Sequence, residues 1–146
     1  MPGIVVGVDN STHSQRALDW AVNEAAIRKA PLTVVTVIQE IAGWYGVPLP
    51  NLADAPRAEQ IGQAVRDQVA AAVARLHEPG PSSIEVRSLT GSPSQQILAV
   101  ADDADMIVLG SRGTGGFAKL MLGSVSSQVT QHARCPVVII PADDRS

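Results

Sequence analysis

The alternation of five short apolar runs with four segments of helical periodicity constrains the fold of this chain more than any other feature. The run at residues 4–8 is apolar throughout, as expected of a central parallel strand buried on both faces. Similar runs follow at residues 32–38, 84–89, 106–109 and 136–141, and helices are predicted at residues 12–29, 57–77, 93–101 and 124–133. This order predicts an α/β fold, a doubly wound parallel sheet with helices on both faces and right-handed crossovers.

The boundaries of these elements rest on local signals. Asn10, Ser11, Thr12 and Ser14 offer capping oxygens to the first helix, and the Gly-Ser-Pro sequence at 91–93 caps the third with proline at its first position. Residues 39–56 hold three prolines and two glycines without a clear period, which predicts a long loop. We detect no internal repeat or second domain in the 146 residues, so residues 1–146 are expected to form a single domain.

Composition and charge exclude several classes of protein. The formal net charge of -3 gives no electrostatic basis for binding nucleic acid or an anionic membrane. No apolar run approaches the ~18 residues of a membrane span, and the N-terminus enters a strand pattern without a leader sequence. One cysteine, Cys135, rules out an internal disulfide and fits a reducing compartment. A cytoplasmic location is the expectation.

A glycine-rich stretch carries the chemistry of this sequence. Residues 110–126 read GSRGTGGFAKLMLGSVS and lie between a predicted buried strand and a predicted helix. Bare backbone N–H groups and the positive end of a helix dipole suit an anion, and Arg112 and Lys119 offer charge-assisted hydrogen bonds to phosphate. The sequence therefore predicts a phosphate site; the alternative is a merely flexible connection.

Other phosphate-binding α/β families lack support here. The turn after the first strand has no GxGxxG, and Gly123-Ser124 lacks the lysine of a Walker A loop. A flavodoxin fits only partly, through Ser11, Thr12 and Ser14, because aromatic residues make up 3% of the chain. A response-regulator receiver needs an aspartate and a lysine where this chain has Leu89 and Ile140.

Along nearly its full length, the chain resembles the universal stress protein family. Gly110-x2-Gly113-x9-Gly123-Ser124 matches the pattern of the ATP-binding branch of that family. The Val-Gly-Val-Asp sequence ending at Asp9 and the His-Ala-Arg-Cys-Pro sequence starting at His132 are also similar to it. Residues 28–32 and 47–50 resemble the actinobacterial type.

The resemblance implies a sheet order of 3-2-1-4-5, which places Asp9 and Gly110 on either side of the point where the strand order reverses. It implies ATP as ligand, with Asp9 near the phosphates and ribose as a ligand for Mg²⁺. Val37 would contact adenine, with Ile38 nearby. The implied nucleotide-binding residues are Gly7, Asp9, Ser11, Val37, Gly110, Ser111, Arg112, Gly113, Gly115, Gly116, Gly123, Ser124, Val125 and Ser126.

The function implied is nucleotide-dependent regulation in a stress response, with little or no hydrolysis, because no nucleophile–base pair or metal triad is visible. A slow ATPase or phosphoryl-transfer enzyme, a cyclic-AMP-binding protein and an interaction module with a vestigial pocket stay open, and the sequence identifies no protein partner. Asp9 is also explained as an N-cap of the first helix. His132 is interpreted as a helix-end residue and Cys135 as a packed small residue. Asp102, Asp103 and Asp105 are interpreted as solvent-exposed residues that follow the third helix.

The last strand predicts a homodimer. Residues 137–140 are apolar on both faces, yet the implied order puts them at a sheet edge, where unpaired backbone groups invite a partner strand. Antiparallel pairing of two such strands about a two-fold axis would cover both the backbone and the side chains. The family resemblance implies the same arrangement.

Overall fold

One parallel sheet organises the part of the chain that the computed structural model describes, namely residues 3–9, 12–38, 54–76, 79–111 and 122–141. In these residues the sheet has five strands in the order β3-β2-β1-β4-β5, all neighbours being parallel. The predicted α/β fold and the strand order are therefore confirmed. The strands are β1 (Ile4–Val8), β2 (Pro31–Ile38), β3 (Ser83–Thr90), β4 (Met106–Gly110) and β5 (Val137–Ile140).

Four helices of the described residues connect these strands: α1 (Thr12–Arg28), α2 (Asp54–Ala74), α3 (Pro93–Val100) and α4 (Ser124–His132). The start of α2 differs from the sequence prediction, because the helix begins at Asp54 and includes Pro56 in its first turn. The first-turn N–H groups of a helix have no intrahelical acceptor, so proline is tolerated there and does not mark a loop. The predicted loop is thus shorter by its last three residues, and residues 39–53 lie outside the described part.

The ends of two helices show how the sequence sets their boundaries. Lys29 follows α1 with a left-handed φ of 52°, and the N–H of Ala30 donates to the Ala25 carbonyl at 2.9 Å, which forms a Schellman-type end. Pro93 starts α3 as predicted, but Ser92 makes no side-chain capping bond to the helix. Its hydroxyl instead lies 3.4 Å from that of Ser94.

Two apolar layers bury the sheet. On one face α1 and α2 cover alternate strand residues, among them Ile4, Val6, Leu32, Val34 and Val108. On the opposite face α3 and α4 cover the residues in between, among them Val5, Val35, Ile107 and Leu109. All five residues of β1 are buried, as its apolar run predicts. None of the helices in the described ranges is long and apolar enough to cross a membrane.

Candidate functional site

The sheet opens at its carboxyl edge between β1 and β4. β1 stays paired with β2 as far as Val8, and β4 stays paired with β5 as far as Gly110. The pairing between β1 and β4 ends earlier, at Val6 and Val108. The two strands thus lose their pairing over their last two residues, at the point where the strand order reverses. Open α/β sheets bind ligands at such a point.

Gly7 lies beside this opening, and its missing side chain serves the packing of the α3/α4 face. A Cβ at Gly7 would lie 2.8 Å from Leu109 Cδ2 and 2.9 Å from Ile97 Cδ1. Real Cβ atoms essentially never approach other atoms so closely, so a larger residue would require the ends of the Leu109 and Ile97 side chains to shift. The structure therefore gives Gly7 a packing role; its predicted role near a ligand remains a prediction.

Hydrogen bonds join the end of β4 to the start of α4. The N–H of Gly123 donates to the Ser111 carbonyl at 2.8 Å, and the Ser126 hydroxyl donates to the Gly110 carbonyl at 2.6 Å. The N–H of Ser111 in turn donates to the Ile140 carbonyl of β5 at 2.9 Å. The two ends of the glycine-rich stretch therefore meet at one place, next to the opening between β1 and β4.

The start of α4 presents backbone amides at this place. Gly123 is the N-cap, and the first intrahelical bond runs from the N–H of Ser127 to its carbonyl at 2.9 Å. The amides of residues 124–126 consequently have no acceptor within the helix and lie at the positive end of its dipole. Ser124 is exposed and Val125 is half-buried. An anion at this helix end would meet the donors that the sequence predicted.

Ser126 makes a contact that the sequence does not show. The residue is only 4% exposed, and its hydroxyl donates to the Gly110 carbonyl. The structure therefore uses the hydroxyl of Ser126 inside the protein, and leaves its backbone N–H at the helix end. The sequence pattern shows that a hydroxyl is present but not which acceptor lies within its reach.

Asp9 stands at the other side of the opening. It directly follows β1 and is exposed, and its N–H donates to the hydroxyl of Ser14, 3.3 Å away and buried within α1. This bond turns the chain from β1 into α1. No group of three His, Cys, Asp or Glu side chains able to hold a metal occurs among the described residues.

The end of β2 extends beyond the paired part of β1. Val37 and Ile38 pair with β3, whereas the last β2 residue paired with β1 is Thr36. The Ile38 carbonyl accepts a bond from the N–H of Gly91, which follows β3. Because backbone groups of successive strand residues point to opposite sides, the Val37 carbonyl points towards the β1 side. It lies past the last paired residue of β1, as the prediction of a ligand contact at Val37 requires.

Five predicted site residues lie outside the described residues, so their positions are not part of this geometry. They are Ser11, Arg112, Gly113, Gly115 and Gly116. The described members of the predicted set belong to the ends of β1, β2 and β4 and the start of α4. All of these lie at the carboxyl edge of the sheet.

The remaining reactive groups singled out in the sequence lie at the amino edge. Cys135 precedes β5, and its pKa is raised by partial burial and, secondarily, by the Asp105 carboxylate, which keeps it a thiol. Arg134 lies 3.3 Å from Asp102 in an exposed ion pair, and His132 is exposed in the last turn of α4. A cavity of about 250 Å³ lies between these helix ends. Nothing in this arrangement forms a nucleophile with a base.

Comparison with known proteins agrees with the fold. The model of the universal stress protein family matches residues 2–141, and the chain belongs to that family. A universal stress protein of Mycobacterium tuberculosis is 36% identical over 143 residues, which is 97% of this chain and 48% of that protein. One of Mycolicibacterium smegmatis is 29% identical over 145 residues, 99% of this chain and 49% of that protein. This chain spans about half the length of the curated relatives it matches.

Solved structures agree along almost the whole chain. Universal stress protein UspA from Lactobacillus plantarum has a TM-score of 0.78 at 28% identity, covering 95% of this chain and 97% of its own. A universal stress protein in complex with cAMP has a TM-score of 0.69 at 28% identity, covering 96% of each chain. One from Archaeoglobus fulgidus in complex with dAMP has a TM-score of 0.67 at 25% identity, covering 96% and 98%.

Proposed function

We propose that this chain binds ATP at the opening between β1 and β4 and acts as a nucleotide-dependent regulatory protein. The observation that carries the proposal is the start of α4, which hydrogen bonds hold beside the separated ends of β1 and β4. This geometry offers a phosphate group the amides of residues 124–126, which have no acceptor within the helix. The similar structures in complex with cAMP and dAMP support an adenine nucleotide as the ligand.

The proposed position of the nucleotide follows from the two sides of the opening. Its phosphates lie at the start of α4 and along the glycine-rich stretch, and its base lies over the end of β2. There the Val37 carbonyl is placed to accept a hydrogen bond from the amino group of adenine. Guanine has a carbonyl oxygen at the corresponding position, so adenine is preferred.

Asp9 is proposed to hold Mg²⁺ together with phosphate oxygens. The carboxylate is exposed at the carboxyl edge of the sheet, opposite the start of α4. Mg²⁺ usually binds one or two protein carboxylates and takes its other ligands from phosphate and water. The Asp9 carboxylate would therefore hold the cation together with phosphate oxygens of the nucleotide and water.

Slow or absent hydrolysis belongs to the same proposal. Among the described residues at the carboxyl edge, Asp9 is the ionisable side chain proposed to act at the site, and there it would serve the metal. General-base activation of water needs a further group held within hydrogen-bond reach. We expect turnover below about 1 per second, and a faster steady-state rate in purified protein would favour the alternative of an ATPase.

Mass spectrometry of nucleotide released from the denatured purified protein tests the ligand most directly, and calorimetry with ATP, cAMP and GTP ranks the candidates. We expect ATP with Mg²⁺ to bind and to raise the melting temperature, since a ligand of the native state stabilises it. The similar structure with cAMP makes cAMP the second candidate. If cAMP binds more tightly than ATP, cAMP becomes the proposed ligand. If neither binds at millimolar concentration, the proposed function is refuted.

A substitution at the start of α4 tests the position. Gly123→Glu puts a carboxylate where the phosphate is proposed to lie, so we expect binding to be lost while the far-ultraviolet spectrum stays the same. Gly80→Glu is the matched control at the amino edge, where a Cβ meets side chains at ordinary distances of 3.7 Å and 3.8 Å. Parent-like ATP binding by Gly123→Glu would show that the pocket is misplaced.

We also propose that two copies of the chain associate through β5. The strand is at the sheet edge, and its four residues are apolar and half-buried within one copy. Antiparallel pairing with the β5 of a second copy would satisfy the outer backbone groups of the strand and cover these side chains.

A further inference from the structure

We propose that Ser126 is a positioning residue for phosphate binding, although its hydroxyl does not touch the nucleotide. Its hydroxyl fixes the first turn of α4 to the end of β4, which aims the amides of residues 124–126 into the opening. The effect of Ser126 on nucleotide affinity rests on the proposed function. The effect of its hydroxyl on the first turn of α4 does not depend on any ligand.

The backbone N–H and the side-chain hydroxyl of Ser126 point in different directions. Its N–H lies at the helix end, where an anion would bind, while its hydroxyl reaches back 2.6 Å to the Gly110 carbonyl. That distance is typical of a well-formed O–H···O bond, and the residue is 4% exposed, so water competes little for the hydroxyl. The position of this amide is therefore fixed by the side chain of the same residue.

The acceptor of this bond is itself held in place. Gly110 pairs with Ile140 in the β4–β5 ladder, and the N–H of Ser111 donates to the Ile140 carbonyl at 2.9 Å. The end of β4 is thus part of the sheet and not of a free loop. Groups built on rigid elements hold a ligand-binding geometry better than groups on loops.

Two bonds join α4 to this fixed point, one from the N–H of Gly123 to Ser111 and one from the Ser126 hydroxyl to Gly110. Two attachments prevent rotation of the first turn about either of them. Without the Ser126 hydroxyl, the Gly123 bond and the apolar packing of Val125 and Val129 remain to hold the helix start against β4. The amides of residues 124–126 are then less fixed in direction, and part of the free energy of nucleotide binding is used to order them.

The test compares Ser126→Ala with two matched variants. Ser127→Ala removes the next hydroxyl of α4, which has a 3.4 Å contact with Gln131 on the same helix. Ser126→Thr keeps the hydroxyl. Calorimetry with ATP, AMP and adenosine measures how much of the change in affinity depends on phosphate. Hydrogen exchange of the nucleotide-free protein measures how well the backbone amides in the first turn of α4 are protected.

For Ser126→Ala we expect about tenfold weaker binding of ATP and AMP, the scale of one lost hydrogen bond, and less than about twofold weaker binding of adenosine. In the same variant we expect faster amide exchange at residues 127–129 without nucleotide. Ser127→Ala should have the exchange and the affinity of the parent, and Ser126→Thr should recover both. Equal losses for adenosine and ATP, unchanged exchange, or a folded Ser126→Thr that binds like Ser126→Ala would overturn the inference. If the parent binds no nucleotide, the proposed function fails, and the exchange data alone show whether the hydroxyl positions the helix.

Discussion

The two edge strands of the sheet differ in how they meet solvent. β3 carries polar or charged side chains at most of its positions, and Glu85 and Arg87 form an ion pair 2.8 Å apart on its exposed surface. β5 has four apolar residues, all half-buried, and Pro136 and Pro141 bound it. Both strands leave one row of backbone groups without a neighbouring strand in the sheet.

This difference is the basis for proposing that the β5 edge, and not the β3 edge, pairs with another chain. Charged side chains on an edge strand oppose pairing, because a second strand would have to desolvate them. β3 has this protection and β5 does not. Both strands are parallel to their neighbours, so strand direction does not distinguish the two edges, whereas their lengths and side chains do.

The largest effect is expected from a charge on β5. Ile139→Lys should weaken self-association by at least about 100-fold, because an unpaired ammonium group would be buried at the centre of the proposed interface. Leu89→Lys is the matched control, since Leu89 is half-buried on the same face of the sheet but on β3. Sedimentation at micromolar concentration measures both. A parent protein that sediments as a monomer would refute the dimer.

A smaller effect is expected when β3 loses its protection. The double variant Glu85→Val, Arg87→Val makes β3 apolar at the positions of the ion pair, as β5 is. We expect light scattering to show new, concentration-dependent association that Ile139→Lys does not reverse. The charge-exchanged variant Glu85→Arg, Arg87→Glu should stay like the parent. If the apolar variant gained no association, the charges of β3 would not be what keeps its edge unpaired.

The smallest effect is expected on stability. The hydrogen bond from Arg87, aided by its charge, lowers the pKa of Glu85 below its ordinary value of 4.5. The unfolded chain therefore takes up this proton first as the pH falls, so any stabilisation is present above pH 4.5 and is lost below it. Because both side chains are exposed, Glu85→Gln should change the melting temperature little at pH 7, and by less as the pH falls below 4.5. A large change at pH 7 would mean that the ion pair supports the fold as well as the edge.

The fold could be predicted from the sequence wherever burial and periodicity are strong. The continuous apolar run of β1 and the helical repeat of α1 both gave the correct element, because each pattern reflects which faces are covered. The predicted start of α2 was wrong, because proline is common both in loops and in the first turn of a helix, and Pro56 lies in the first turn. Composition does not distinguish these two cases; the surrounding structure does.

The site was predictable in its residue types but not in its internal bonds. The glycine spacing and the strand order indicated the carboxyl edge, and the structure brings Asp9, Gly110 and the start of α4 to that edge. The pattern did not show that Gly7 makes room for Leu109, or that the Ser126 hydroxyl bonds to Gly110. Such contacts depend on side chains distant in the sequence, whose approach is set by the packing of whole elements.

The place of β1 between β2 and β4 has a consequence for the synthesis of the chain. Met106, which pairs with Ile4, is made roughly a hundred residues later, whereas β2 follows β1 after a single helix. While the chain leaves the ribosome, the β4 side of β1 therefore stays an unprotected apolar edge after its other side is paired. An unpaired apolar edge of this kind makes a nascent chain prone to aggregation, and the arrival of β4 both covers it and creates the opening at the carboxyl edge.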